Sequence, residues 1–362
     1  MPMAIIYKEL EYMGNTLESL GLMCVDFDEE TEIPLGLQKT IEKGETNRYR
    51  IKSNHIYTLY NDTLEFQIDV VKSICDTCND QTKMKYTKSE IREITKQLSS
   101  TTIPQLLKTV DENDEVLYYC GIFTNIESFV VAGEVYGFTL TFTNDSPFAY
   151  SDIKTTSFYL NGNTTKTITN NSDLLDDYIY PVIHLYPNSN TDFYMCNLSD
   201  SKELTSGKIT IASDSNTTLN NFLSAIDSFA TNNRYTVEYY YDSDGYTKTW
   251  AKNTALRIML KESDNTEHYG FAYYLNDGTY KIIECGFVTL KLYSDLDIEI
   301  NCELLTIRDS IDRMVHFKNI GIDEEDYIYW LRLISGNNTL LFYGTDCDVK
   351  IEYREMLKVG AA

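Results

Sequence analysis

Tryptophan, histidine and proline are scarce in this 362-residue chain, at 2, 4 and 6 residues. With so little proline, turns fall to Asn, Asp, Gly and Thr, which supply the needed backbone conformations by other means. The histidines, His55, His184, His268 and His316, lie far apart and none forms an HxxxH pair, so no zinc-hydrolase site is expected. No apolar run approaches the roughly 20 residues that span a bilayer. The opening MPMAIIYKELEY has too short an apolar stretch for a signal-peptide core and lacks a cleavage site. A protein made and folded in a cytoplasm, without membrane insertion, is expected. Positive charge is short as well: 31 Lys and Arg stand against 55 Asp and Glu, a net charge of −24. Such a balance repels a phosphate backbone and an anionic lipid surface alike, so specific nucleic-acid binding is not expected.

Groupings that carry chemistry are equally sparse. The 8 cysteines are scattered, which suits reduced thiols better than a disulfide framework. Cys75 and Cys78 have the CxxC spacing of a redox or half-zinc site, but no second CxxC or paired His follows, and two thiols at a strand edge are expected. DSDG, Asp242 to Gly245, lacks the further ligands of a calcium loop and reads as a hairpin turn. SDLLDD, Ser172 to Asp177, reads as a solvated turn. No Gly-rich phosphate cradle or nucleophile elbow is present. The chain is therefore not expected to be an enzyme, and no cofactor or metal is expected.

What is present is apolar content of 43% and 29 tyrosines, the composition of a folded, strand-rich protein. At this length two or three domains are expected. In DTLEFQIDVVKS, Leu64, Phe66, Ile68 and Val70 alternate with Glu65, Gln67 and Asp69, the period of a half-buried strand. A polar loop is expected from Thr40 to Thr46. In TKSEIREITKQLSS the period changes: Thr87 and Glu90 make a capping box, and Ile91, Ile94 and Leu98 share a helix face. Strands resume in EVLYYCGIF and YGFTLTF, where Phe138, Leu140 and Phe142 point inward and Thr139 and Thr141 outward. NDSPFAYSD, Asn144 to Asp152, has turn chemistry and reads as a domain boundary.

Beyond it, TTSFYLNG and IYPVIHLY open a second set of strands, in which His184 is a sandwich residue. DIEINCELLTI and YIYWLRLISG follow near the far end. The chain closes on DCDVKIEYR, where Cys347, Val349, Ile351 and Tyr353 alternate with Asp348, Lys350, Glu352 and Arg354. Between these sets, residues 201–285 differ in texture. TTLNNFLSAIDSF puts Leu219, Phe222, Leu223 and Ile226 on one helix face, and tyrosine-heavy strands follow with DG hairpin turns. An inserted module accounts for this stretch.

Three stretches resemble the distal tail protein family of long-tailed bacteriophages: GNTLESLGLMCV; the helix TKSEIREITKQL followed by LYYCGIFTNIESF and YGFTLTFTNDSPFAYS; and YWLRLISGNNTLLFYG through DVKIEYRE. The likeness covers most of residues 1–200 and 286–362. It implies a mainly β protein: an N-terminal β-sandwich or split-barrel-like domain with one α-helix over 1–150, and a galectin-like β-sandwich over 151–200 and 286–362. A small α+β or β module is then inserted over 201–285. It further implies a structural hub of a tail tip or baseplate, in which six copies of the first domain close into a ring. Its partners are further copies of itself, the tail tube protein and the tail-associated or baseplate hub protein, with a receptor-binding protein beyond. DNA passes through such a ring without specific binding, and an acidic surface suits that passage. The terminal strand is expected to close the sandwich, burying Val349 and Ile351.

In this family, insertions often resemble carbohydrate-binding modules. The aromatic residues Tyr239, Tyr240, Tyr241, Tyr246, Trp250, Tyr273 and Tyr274, interleaved with Asp, Asn and Lys, are candidates for stacking on a host cell-wall glycan. The simpler expectation for such tyrosines is a small core or protein–protein contacts. The rival to the hub reading is a free-standing lectin-like adhesin using the sandwich and the insertion.

Overall fold

The structure, a computed structural model, describes residues 7–25, 39–43, 56–60, 64–73, 83–111, 113–162, 164–240, 255–274, 277–322 and 328–358. His55, Cys75, Cys78, the DSDG turn, Tyr241, Tyr246 and Trp250 lie outside these. The protein is mainly β, and its chain divides into two compact units at Asp152/Ile153 and again at Arg354/Glu355.

In the first unit, β1 (Glu9–Tyr12) and β2 (Asn15–Thr16) lead into a short helix α1 (Leu17–Leu20) and β3 (Leu22–Val25). Strands β4 (Lys39–Lys43), β5 (Ile56–Tyr60) and β6 (Glu65–Lys72) precede helix α2 (Lys88–Ser99). After it come β7 (Gln105–Val110), β8 (Val116–Val131), β9 (Glu134–Asn144) and β10 (Ala149–Tyr150). The main sheet runs β2-β1-β7-β8-β9-β6-β3, antiparallel throughout its pairings.

Two expectations need correction here. The unit has a second helix, because Thr16 and Ser19 cap each other reciprocally and Gly21, at φ 65°, ends the turn. One turn is too short to show helical periodicity. Of the loop expected from Thr40 to Thr46, Thr40–Lys43 belongs to strand Lys39–Lys43, paired antiparallel with Ile56–Tyr60, and residues 44–46 lie outside the described residues. Backbone pairing across the hairpin overrides its polar composition.

Helix α2 is capped as expected. Thr87 Oγ1 accepts from Glu90 N at 3.3 Å, and Glu90 Oε2 accepts from Thr87 N at 2.7 Å. Ile94 and Leu98 bury its inner face among Val70, Leu107, Tyr119, Phe138, Leu140 and Phe142. Each such side chain contributes about 1.5–3 kcal/mol. Thr141 is itself buried, contrary to the simple alternation. GIF and NDSPFA also acquire physical reasons. A Cβ on Gly121 would overlap the Thr143 carbonyl oxygen, so β8 and β9 meet there only through glycine. The buried Asn144 side chain donates to Ser146 O at 2.8 Å and Phe148 O at 2.7 Å, wrapping the turn on itself. The chain returns to this unit at its end, where Met356–Leu357 pairs antiparallel with β10.

The second unit begins with β11 (Lys154–Asn161), β12 (Thr164–Asn170), β13 (Val182–Pro187) and β14 (Thr191–Asn197). A module follows: β15 (Lys202–Lys208), α3 (Ser215–Asn232), β16 (Thr236–Tyr240), β17 (Ala255–Lys261), β18 (Glu267–Tyr274) and β19 (Thr279–Glu284). The chain then completes β20 (Phe287–Leu292), β21 (Ile298–Asn301), β22 (Thr306–Asp309), β23 (Gly336–Tyr343) and β24 (Thr345–Tyr353). Two sheets, β11-β24-β13-β21-β22 and β12-β23-β14-β20, form a β-sandwich. Strand β24 lies inside the first sheet, and Val349 faces Phe158 on one side and Leu185 on the other. Cys347, Val349, Ile351 and Tyr353 are its buried set, as the alternation requires. His184 is half-buried, its Nε2 2.9 Å from Glu352 Oε2. Within YIYWLRLISG, residues 328–335 do not form a strand: Leu333 makes one isolated bridge to Ile179, and the others are irregular.

The module is a sheet ordered β15-β19-β18-β17-β16 with α3 on one face. Asp214 Oδ1 accepts from Thr217 N at 2.7 Å and caps α3, which runs well past the helical stretch read from the sequence. Phe222, Ile226 and Ala230 pack on Leu256, Ile258, Leu260, Ala272 and Ile282. On the sheet's other face, Phe271 and Ile283 pack against Tyr194, Cys196 and Leu341 of the sandwich. Module and sandwich therefore share buried surface.

Candidate functional site

A strand turns successive side chains to opposite faces, so a run of tyrosines cannot present one aromatic surface. Tyr274 is 3% exposed and sits in the core under α3, its ring 5.1 Å from that of Phe222. Tyr239 is half-buried against the same core, and its hydroxyl donates to Asp227 Oδ1 at 2.6 Å. Tyr273 lies on the opposite face beside Phe271, where burial raises its phenol pKa. Tyr240 is described only as a strand position, opposite Arg257. The described members of the tyrosine set are thus split between two faces, and Tyr274 presents no ring to solvent.

The structure gathers polar and aromatic groups elsewhere, where the module's sheet meets the sandwich. A concavity of about 500 Å³ opens there. One wall, formed by Asp200, Tyr329 and Arg332, is held from behind by buried amides. Asn197 Nδ2 donates to Arg332 O at 2.8 Å and to Asn338 Oδ1 at 2.7 Å, and Asn338 Oδ1 also accepts from Ile334 N at 2.9 Å. These bonds fix the irregular segment carrying Tyr329 and Arg332. Asp200, in the turn after β14, receives Arg332 Nε at 2.6 Å, Arg332 Nη2 at 3.3 Å and the Tyr329 hydroxyl at 2.5 Å. The hydrogen bond to Asp200 raises the Arg332 pKa, and the guanidinium lies 3.9 Å above the Tyr178 ring centroid. Burial, reinforced by Asp200, pushes the Tyr329 phenol up. The Tyr329 ring lies against Gly286, where a Cβ would overlap it.

The opposite wall comes from β18 and β19. The Tyr269 hydroxyl donates to Glu267 Oε2 at 2.5 Å, and Lys261 Nζ approaches Glu267 Oε1 at 3.1 Å. Both contacts lower the Glu267 pKa, the tyrosine bond more. His268 bridges two carboxylates, Nδ1 to Glu284 at 3.0 Å and Nε2 to Glu262 at 2.9 Å, and its pKa is raised chiefly by Glu284. Lys202 Nζ lies 3.3 Å from the other oxygen of Glu284. Tyr269 remains 41% exposed. None of these residues stood out in the sequence. Asp200, Tyr269 and Arg332 come from distant segments, and only a polar arginine inside the apolar YIYWLRLISG hinted at a tertiary partner. Among the described residues, no group of three or more His, Cys, Asp or Glu is placed to hold a metal ion.

Residues 6–146 match the family described as the phage tail protein N-terminal domain. The match lies within the first unit. No curated protein matches the chain. Among solved structures, the Dit protein of phage SPP1, described as a paradigm of hub adsorption apparatus in Gram-positive-infecting phages, is 12% identical, with a TM-score of 0.47. The alignment covers 96% of this chain and 98% of that one. A chain of the phage P2 baseplate in its activated conformation with Ca is 9% identical, with a TM-score of 0.38 over 97% of this chain and 98% of that one.

Proposed function

We propose that this protein is the hub of a phage tail tip: six copies of residues 1–150 close into a ring that joins the tail tube to the host-adsorption apparatus. The observation that carries this reading is the match of residues 6–146 to a phage tail protein N-terminal domain. Head-to-tail contacts between identical flanks generate closed cyclic rings, so one self-complementary pair of surfaces suffices. The ring meets the tail tube protein on one side and the tail-associated or baseplate hub protein on the other. DNA passes through it, repelled by the excess of acidic residues. The role is structural, without catalysis, and the virion is assembled in the host cytoplasm. The inserted module adheres to host cell-wall glycan, alongside any receptor-binding protein.

Mass measurement in solution tests the ring: a six-chain species at micromolar concentration is expected. A chain that stays monomeric at high concentration, yet binds glycan, overturns the hub and leaves the adhesin.

A further inference from the structure

The sequence directs attention to tyrosines that the structure divides between two faces, whereas the junction of module and sandwich holds a constellation with a consistent charge pattern. Each acidic side chain of the concavity has its own cation: Asp200 with Arg332 at 2.6 Å, Glu267 with Lys261 at 3.1 Å, Glu284 with Lys202 at 3.3 Å. The site is locally neutral while dense in both donors and acceptors. A phosphate polymer gains no net attraction there and is repelled by a chain of net charge −24. An ammonium ligand meets carboxylates already neutralised, and an apolar ligand would strip water from their remaining lone pairs without replacing it. A polyol differs from all three, because every hydroxyl both donates and accepts.

Two further features narrow the ligand to a ring. Tyr269 stands at the rim, 41% exposed, and its hydroxyl is anchored to Glu267, which limits the ring's freedom. Asp200, its side chain 13% exposed, is fixed by three hydrogen bonds, so the opposite wall is ordered before any ligand arrives. A concavity of about 500 Å³ lies within the range of small-molecule sites and admits one or two sugar rings.

We propose that this concavity is a subsite for a neutral saccharide, whose ring stacks on Tyr269 and whose hydroxyls bond Glu267 on one wall and the Asp200–Arg332 pair on the other. The assignment rests on the reading that the module adheres to glycan, and it moves the contact from the tyrosine run to the junction.

The test uses the full chain and saturation-transfer NMR with glucose, galactose, N-acetylglucosamine and rhamnose, each alone, with poly(glycerol phosphate) as the anionic probe. At least one neutral sugar is expected to bind and poly(glycerol phosphate) not to bind. Tyr269→Ala, which removes the stacking face, should weaken binding by about ten-fold. Glu267→Gln retains shape and keeps the test valid if Tyr269→Ala does not fold; it should weaken binding several-fold. Tyr239→Phe should bind like the parent. Sugar binding undiminished in both Tyr269→Ala and Glu267→Gln overturns this site and leaves the adhesion reading standing. Binding of poly(glycerol phosphate) alone, or of no probe, overturns the site together with neutral-glycan adhesion.

Discussion

Asp200 and Arg332, 132 positions apart in sequence, form a two-point ion pair, Nε to Oδ2 at 2.6 Å and Nη2 to Oδ1 at 3.3 Å. The pair ties the turn that leads into the inserted module to the irregular segment that leads into β23. It therefore fixes the entry of the insertion relative to the sandwich that carries it. The fork of a guanidinium matches a carboxylate in a way an ammonium cannot.

Arg332→Ala should accordingly destabilise the second unit by roughly 1–3 kcal/mol, since it leaves a largely buried carboxylate with only the Tyr329 hydroxyl. Arg332→Lys should recover less than half of the loss. Urea denaturation followed by tyrosine fluorescence reads both. A change below about 0.5 kcal/mol for Arg332→Ala would show that the pair is solvated and adds nothing beyond a surface contact.

Gly270 and Gly286 make a paired prediction about close approach. A Cβ at Gly270 meets the Ile283 carbonyl oxygen of the neighbouring strand, and one at Gly286 meets the Tyr329 ring. Backbone locked in a sheet cannot withdraw, while a ring on an irregular segment can rotate. Both alanine variants should lose stability, Gly270→Ala by about 3 kcal/mol or more and Gly286→Ala by roughly 1–2 kcal/mol. The Gly286 variant should also lose the Tyr329–Asp200 bond, visible as a change in the near-ultraviolet tyrosine signal. Equal or reversed losses would contradict the argument from backbone rigidity.

The sequence carried the elements with a strict period and missed those set by tertiary contact. Helix α2 is legible because Thr87 and Glu90 announce its start and Ile94 and Leu98 recur on one face. Strand β24 is legible because one face is buried and one wet. Helix α1 spans a single turn, and Lys39–Lys43 pairs as a strand despite polar residues, so neither has a pattern long enough to detect. YIYWLRLISG has a strand's composition, yet Asn197 and Asn338 hold its backbone in place of a sheet ladder. The candidate site was the least legible part. Composition drew attention to tyrosine, but Tyr274 fills a core, and the concavity is assembled from turns and strand ends that no local pattern links.

The capping box of α2 yields a prediction with a defined acid limb. Thr87→Ala removes the acceptor for Glu90 N and should cost about 1 kcal/mol. Glu90 has its pKa lowered to about 2, first by the Lys72 ammonium at 2.6 Å and then by the Thr87 amide. A depressed carboxyl stabilises fully above its unfolded pKa of 4.5 and loses that contribution as pH falls through about 2. The Glu90 side chain is 40% exposed, so solvent screening makes the effect modest. The stability gap between parent and Glu90→Gln, read in urea, should be constant from pH 7 to 5 and narrow steadily below. A gap unchanged at pH 2.5 would remove the carboxylate from the account.

His268 should show the opposite sign. Its ring is held by Glu284 and Glu262, and both raise its pKa above the usual 6.5. A raised imidazole contributes in full below its unfolded pKa, and the contribution fades as pH climbs through the folded one. The window therefore opens near pH 6.5 and extends upward, away from that of Glu90. Tyr235 flanks the ring edge-on at 5.7 Å, Lys202 shares Glu284, and Asp264 also interacts with the ring's charge, so the local charge is three carboxylates against one ammonium and the imidazolium. Deprotonation removes one charge of that balance but leaves one ring N–H to donate. His268→Gln, which keeps a donor but cannot titrate, should equal the parent in stability near pH 8 and fall behind it below pH 6. Proton NMR of the His268 ring gives the folded pKa directly. A midpoint at or below that of a free histidine would mean that the two carboxylates are screened, and the pH-dependent gap between parent and variant should then vanish.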